Sequence, residues 1–348
     1  MTAELLPLPG QPDGVAWPTD EWPAGDPPAA LEPLLDEVFA DPARFGVTYA
    51  VAVVQGGRLL AERYGGAVEH WDDEAEPVGP ATRLLSWSMA KSVLHAAVGV
   101  LVGDGVLRLD EPAGVPGWGD DRVAITLDHL LQMRDGLAWV EDYVDAGISD
   151  VIEMLFGSGQ HDVAGYAQDR PLAHTPGSVF NYSSGTSNVV AAVVRRAVGS
   201  GEATRQFLLD RLLHPIGMRS ADPRLDADGT FVGSSYLYAT AQDWARFGTL
   251  YLRDGVWEGR RLLPEGWVDH GRLVRSVDPT DGDLYGAHWW IDAWGTDRGT
   301  FRASGYEGQT VTICPALDAV VVRLGKTPEE LSTANLPDWR RRVLDALA

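Results

Sequence analysis

A chain of 348 residues, 45% of them hydrophobic, can bury a large core and has room for two domains or one domain with a big insertion. Its formal charge of −22 argues against nucleic acid and anionic membrane surfaces, which need basic patches, and disfavours strongly anionic substrates. A single cysteine, Cys314, excludes an internal disulfide and any multi-cysteine metal centre, and its apolar neighbours predict a buried structural thiol.

In chain order, Met1–Leu6 has neither the basic nor the apolar region of a signal peptide, and no apolar run reaches membrane-spanning length. A soluble, cytoplasmic protein without membrane or nucleic-acid partners is expected. Residues 1–28 hold seven prolines together with Trp17 and Trp22 and follow no period, which predicts an extended arm lying on the body of the protein. A helix is predicted over Leu31–Phe39. Two strands follow at Val47–Gln55 and Arg58–Tyr64, with Gly56-Gly57 as their hairpin turn. Between Ser88 and Asp104, the residues Val93, Leu94, Ala97, Val98, Leu101 and Val102 nearly cover a helix circumference, the pattern of a buried helix.

Residues 106–230 read as helices and loops, with helical periods at Leu127–Met133, Asp150–Phe156, Ser187–Val198 and Arg205–Leu213 and no convincing strand alternation among them. An amphipathic helix at Gln242–Arg253 follows. Strand patterns return at Ala287–Ala293, Thr300–Ala303, Thr310–Pro315 and Ala319–Leu324, and a helix closes the chain at Leu336–Leu347. Strands at both ends with helices between predict an α/β chain whose antiparallel sheet is built from both termini. The expected division is a discontinuous sheet domain, 1–105 with 231–348, and an all-α domain, 106–230.

Chemistry is announced by a scarcity. The chain has only two lysines, Lys91 and Lys326, against 26 arginines. Lys91 lies three residues after Ser88, at the entry of the apolar helix, so the two share a helix face and the amine can reach the hydroxyl. Guanidinium keeps its proton, whereas a desolvated ammonium gives it up, so a lysine retained here suits a base. A lysine at a helix entry can also simply extend to solvent. In the first helical turn the Ser88 N–H lacks an intrahelical partner and can face a developing oxyanion. A second element, Asn181-Tyr182-Ser183-Ser184-Gly185, is expected in a loop before the helix near Ser187. There the Tyr182 phenol can relay a proton, its pKa lowered by the neighbouring ammonium. A third, Arg302 to Gln309, has glycines at 305 and 308 that permit close backbone approach, with the Tyr306 N–H as a second oxyanion donor. No Gly-x-Ser-x-Gly and no His-Glu-x-x-His spacing occurs, and neither a metal nor a cofactor is expected.

In this order and at these separations the three elements resemble the serine β-lactamase and penicillin-binding superfamily, where Ser-x-x-Lys opens the central helix. The likeness is greatest to the class C β-lactamase-like branch, with its esterases, D-aminopeptidases and 6-aminohexanoate-dimer hydrolase. It runs from about residue 45 to 325 and includes Ile125–Met133, Pro176-Gly177-Ser178 and Ala241–Gly248. The resemblance implies Ser88 as acylated nucleophile, Lys91 and Tyr182 as the proton-transfer pair, and the Ser88 and Tyr306 N–H groups as the oxyanion hole. It implies a β-lactamase/transpeptidase-like fold and a small-molecule ester or amide substrate. Two departures bear on specificity. Ser184 stands where the β-lactamases bind the substrate amide with asparagine, and Ala303-Ser304-Gly305 replaces their Lys-Thr-Gly. No cation is left for a β-lactam carboxylate, since strand alternation turns Arg302 away. Esterase or amidase action therefore ranks above β-lactamase or D-alanyl carboxypeptidase action, and above a non-catalytic binding role on the same fold. Glu141–Asp145 resembles the loop that supplies a tyrosine to the leaving amine in 6-aminohexanoate-dimer hydrolases, which makes Tyr143 a substrate contact. Trp289-Trp290 offers an apolar wall for the same pocket, with Trp289 taken as the contact; successive strand residues face opposite sides, so core packing of at least one is expected.

Overall fold

The computed structural model describes residues 5–68 and 75–348. Eight strands form its main sheet: β1 (Val47–Gln55), β2 (Arg58–Tyr64), β3 (Ser276–Val277), β4 (Leu284–Tyr285), β5 (Trp290–Ile291), β6 (Phe301–Gly305), β7 (Gln309–Cys314) and β8 (Ala319–Lys326). Their order is β3-β4-β5-β6-β7-β8-β1-β2, antiparallel at every pairing. The first strand thus lies against the last, so the sheet is closed from both ends of the sequence. Gly56 and Gly57, at φ 57° and 72°, make the tight β1–β2 turn.

The unbroken apolar runs of β1 and β8 follow from cover on both faces. Ala50, Ala52 and Val54 of β1, with Val320, Val322 and Leu324 of β8, join the larger core. That core includes the central helix Ala90–Gly103 and the helix Ala241–Leu252. Val51, Val53 and Val321 point the other way, into a smaller core with Leu35 and Val38 of the helix Glu32–Ala40 and Trp339 and Val343 of the C-terminal helix Glu329–Ala346. The central helix is buried all round from Ala90 to Leu101, as its sequence requires.

The proline-rich arm lies on the body. Trp17 packs on Trp257 with ring centroids 5.0 Å apart. Along β2 the arm runs as a partial ninth strand: the Leu59 N–H donates to Pro23 O and the Gly25 N–H to Leu59 O. It thereby covers an edge that would otherwise present free hydrogen-bonding groups. Residues 106–230 are helices joined by long loops, with Asp150–Phe156, Val163–Gln168, Ser184–Val198 and Glu202–Leu208 among the helices and a two-residue strand at Asp222–Pro223.

Several boundaries differ from expectation. The strand expected over Ala287–Ala293 shrinks to Trp290–Ile291, because His288 takes a left-handed φ of 55° while its N–H donates to Leu131 O. The helix expected from Ser187 begins at Ser184, since the Ser183 hydroxyl caps it by accepting from the Thr186 N–H at 2.9 Å. The last helix starts seven residues before Leu336, at Glu329, and runs through Pro337.

Candidate active site

Four segments meet at the start of the central helix: the turn Trp87–Met89, the loop Trp139–Tyr143, the N-terminus of the helix Ser184–Val198 and the end of β6. Ser88 sits in the turn, just before the helix proper. Lys91, 2% exposed, extends its ammonium to three acceptors: Ser88 Oγ at 2.8 Å, Ser184 Oγ at 3.0 Å and Ser234 O at 3.1 Å. Three N–H bonds, three acceptors: the charge is satisfied without a direct carboxylate. Burial pushes the Lys91 pKa down to about 8, against the opposing pull of Glu141.

Ser184 links that cation to an anion. Its hydroxyl donates to Glu141 Oε1 at 2.5 Å and its N–H donates to Oε2 at 2.8 Å. The indole of Trp139 (2.6 Å) and the phenol of Tyr143 (2.9 Å) donate to the same carboxylate. Glu141 thus sits at the positive end of a long helix with four donors, a favourable place for an anion. On the far side, Asn188 fixes Ser234 by a pair of bonds, Nδ2–H to Ser234 Oγ at 3.1 Å and Oδ1 from the Ser234 N–H at 3.2 Å. The ring of Tyr182 lies 4.8 Å from the Lys91 Nζ, and its phenol is within reach of the Ser88 hydroxyl and the Trp290 indole. Gly305 lies against the turn so closely that a Cβ would overlap the Ser86 carbonyl oxygen and crowd the Ser88 nitrogen. Only glycine permits that approach.

Beyond Ser88 opens a narrow cavity of about 70 Å³. Trp87, Tyr143 and Tyr306 form one wall, and Val151, Ile152, Leu155 and Phe156, from the helix Asp150–Phe156, form much of the rest. No charged side chain lines it among the described residues. The arrangement holds a hydroxyl against an amine that loosens its proton near neutral pH, beside an apolar slot, which is what acyl transfer through serine requires.

Residues 40–346 match the family model described as Beta-lactamase. This chain belongs to the beta-lactamase family. The 6-aminohexanoate-dimer hydrolase of Paenarthrobacter ureafaciens is 27% identical over 322 residues, covering 86% of this chain and 76% of that protein. A Bacillus anthracis protein provisionally named 6-aminohexanoate-dimer hydrolase superimposes with a TM-score of 0.76 at 21% identity, over 99% of this chain and 91% of that one. A family VIII carboxylesterase does so with 0.70 at 13% identity, over 93% and 98%. The structural likenesses establish the beta-lactamase/transpeptidase-like fold, with its large antiparallel sheet flanked by helices.

Within this beta-lactamase family member, several expected site residues are placed differently from the sequence reading. The Tyr182 hydroxyl does not become more acidic: burial and Glu141 raise its pKa, and the neighbouring ammonium does not outweigh them. Ser184 is the first residue of a helix rather than a loop residue, and it faces Lys91 and Glu141. Trp289 is 0% exposed and packed on Tyr251, Phe247 and Phe301, so it is core; its neighbour Trp290 is the one beside Tyr182, with centroids 5.3 Å apart. Ala303 is likewise closed inside the main core, leaving Ser304 and Gly305 partly exposed at the strand end. Arg302 is turned away and held by Asp283 and Asp292, as alternation required. The bond between Glu141 and Ser184, the carbonyl of Ser234 and the apolar face 151–156 went unassigned at the level of sequence. The polar positions 184, 187 and 188, on one face of a helix that continues as the apolar run Val189–Val194, were the available signal for a buried polar face there.

Proposed function

We propose that the protein is a serine hydrolase that cleaves esters or amides of small, uncharged substrates through an acyl-enzyme. The observation carrying the reading is the 2.8 Å contact between Lys91 Nζ and Ser88 Oγ, in a setting where burial brings the amine to a pKa of about 8. At pH 7 about a tenth of such amines are neutral, enough for general-base work. The neutral amine accepts the Ser88 proton as Oγ attacks the carbonyl carbon, and the N–H groups of Ser88 and Tyr306 receive the oxyanion. Tyr182, a phenol that keeps its proton, donates it to the departing oxygen or nitrogen and regains one from the Lys91 ammonium. Water then attacks the ester of Ser88 with the proton transfers reversed.

The apolar slot supports an uncharged acyl or leaving group. Tyr143, with its ring 4.9 Å from Tyr306 and its hydroxyl on Glu141, is proposed as the contact to a leaving amine, a role favoured by the likeness to 6-aminohexanoate-dimer hydrolase. Ser304 and Gly305 would border the substrate from the strand side. A β-lactam reading draws on the family match, but Arg302 is committed to two aspartates and Ala303 carries no charge. The proposal includes a site between a sheet domain (1–105, 231–348) and a helical domain (106–230). No described helix is long and apolar enough to cross a membrane, and a cytoplasmic location is proposed on the strength of the lone, buried Cys314.

Ser88→Ala is expected to abolish p-nitrophenyl butyrate hydrolysis, and a serine-reactive phosphonate should label the peptide carrying Ser88. Retained hydrolysis in Ser88→Ala, or labelling elsewhere, would refute the assignment. Steady nitrocefin turnover with little butyrate turnover would instead favour the β-lactam reading.

A further inference from the structure

The two N–H groups assigned to the oxyanion come from distant parts of the chain, one from the turn Trp87–Met89 and one from the turn Tyr306–Gly308. Each is adjacent to a residue with left-handed backbone: Trp87, at φ 46°, precedes Ser88, and Glu307, at φ 61°, follows Tyr306. Large L side chains avoid that region, and they persist there only where the surroundings enforce it, often at functional sites. Here the two left-handed residues are tied to each other. The Trp87 Nε1–H donates to Glu307 Oε2 at 3.1 Å, across 220 positions of sequence. The Trp87 indole also meets the Tyr306 ring edge-on, with centroids 5.7 Å apart at 85°.

The rest of the Tyr306 turn is anchored from behind. The Glu307 carbonyl accepts from the Thr327 N–H at 3.0 Å and from Arg323 Nη1 at 3.1 Å, and the Gly308 carbonyl accepts from the same nitrogen at 3.2 Å. Arg323 itself is sealed inside the protein. One turn is therefore fixed to the body, the other is fixed to the central helix, and the indole–carboxylate bond spans the gap between them. We propose that Trp87 and Glu307 form a latch that sets the separation and aim of the Ser88 and Tyr306 N–H groups. Both are positioning residues: neither needs to touch the reacting atoms to act. This rests on the hydrolase reading above; it gives Trp87 a second part beside its place in the cavity wall, and it gives Glu307 its first.

An oxyanion hole binds the tetrahedral state and not the planar substrate, so a loosened latch lowers kcat and spares KM. Glu307→Ala and Trp87→Phe, the latter keeping the ring and losing the N–H, are each expected to reduce kcat for p-nitrophenyl butyrate by about tenfold, with KM changing by less than about threefold. The double variant should be no slower than the worse single one, because both remove the same bond. Glu307→Gln keeps an acceptor oxygen and should retain more than about a third of wild-type kcat. Affinity for an alkyl boronic acid, which forms a tetrahedral adduct, should fall in step with kcat. Melting temperatures within a few degrees of wild type certify folded variants, and Glu307→Gln serves where Glu307→Ala unfolds. The latch is overturned if Glu307→Ala leaves kcat within twofold, if the single losses multiply in the double variant, or if KM rises as much as kcat falls. Ser88→Ala measured alongside separates the two levels: its retained activity refutes the hydrolase reading, whereas a dead Ser88→Ala with an undiminished Glu307→Ala refutes the latch alone.

Discussion

Lys91 and Arg323 are both cations sealed from water, and neither has a carboxylate among its hydrogen-bond partners in the described residues. Lys91 is met by two hydroxyls and one carbonyl, while Arg323 is met by the carbonyls of Phe45, Val47, Glu307 and Gly308 and the hydroxyls of Thr48 and Thr327. Burial lowers the proton affinity of both, but from different starting points. It brings the ammonium to about 8 and the guanidinium only to about 9 from 12.5. At neutral pH an amine at about 8 is in part unprotonated, whereas the delocalised guanidinium, even lowered, holds its charge. Two regions of one molecule thus use the same arrangement of neutral acceptors for opposite ends, one for a proton that moves and one for a charge that stays. That is a physical reason for a chain that uses arginine 26 times to keep lysine beside Ser88.

The contrast can be broken most forcefully at Lys91. Lys91→Met, close in volume and unable to titrate, should cut kcat/KM by roughly 10³-fold or more. Its folding stability should stay near wild type, because losing a buried charge offsets losing its bonds. Near-normal turnover would remove the base from Lys91. The reverse is expected at Arg323: Arg323→Met strands its carbonyls and hydroxyls and should cost about 3 kcal/mol of stability by denaturant titration. A destabilisation below about 1 kcal/mol would show that Arg323 is no strut.

A subtler test concerns the titration itself. If neutral Lys91 is the active form, kcat/KM should rise with pH and level off above about 8. Glu141 raises the Lys91 pKa, so Glu141→Gln should move the rising limb to lower pH. A limb that stays in place, or moves up, would contradict the link through Ser184. The smallest effect concerns His288, whose Nδ1 contacts Lys91 O at 3.0 Å and whose pKa burial drives down to about 3. Its folded pKa lies below its unfolded one, so the unfolded chain binds the extra proton. This contribution to stability is present above about pH 6.5 and is lost as pH falls from there toward 3. Melting curves between pH 7 and 5 should show this slope, and His288→Gln should make it shallower.

The sequence made Ser88, Lys91 and Tyr182 legible because a helical spacing of three and short motifs are local. The sheet closed from both termini was legible too, since strand patterns bracket a helical middle. What escaped was set by distance or by solvent. Glu141 and Ser184 lie 43 residues apart, and only folding brings a carboxylate to that helix end. Alternation said that Trp289 and Trp290 part company, yet which one faces Tyr182 depends on the turn made by His288. For Tyr182, the expected approach of the Lys91 ammonium argued for a more acidic phenol, and burial, which no motif records, decided the opposite.

The pairing of β1 with β8 also governs the order in which the protein can be made. Val47–Gln55 leaves the ribosome long before its partner Ala319–Lys326, with the whole helical middle between them. Throughout synthesis the β1–β2 hairpin carries an apolar strand with an open flank, and neither core can close over it. Such non-local pairing folds slowly and leaves sticky edges exposed meanwhile. The nascent chain therefore stays vulnerable until residue 326 has emerged, and a ribosome stalled short of residue 319 would hold β1 without the strand that covers its flank.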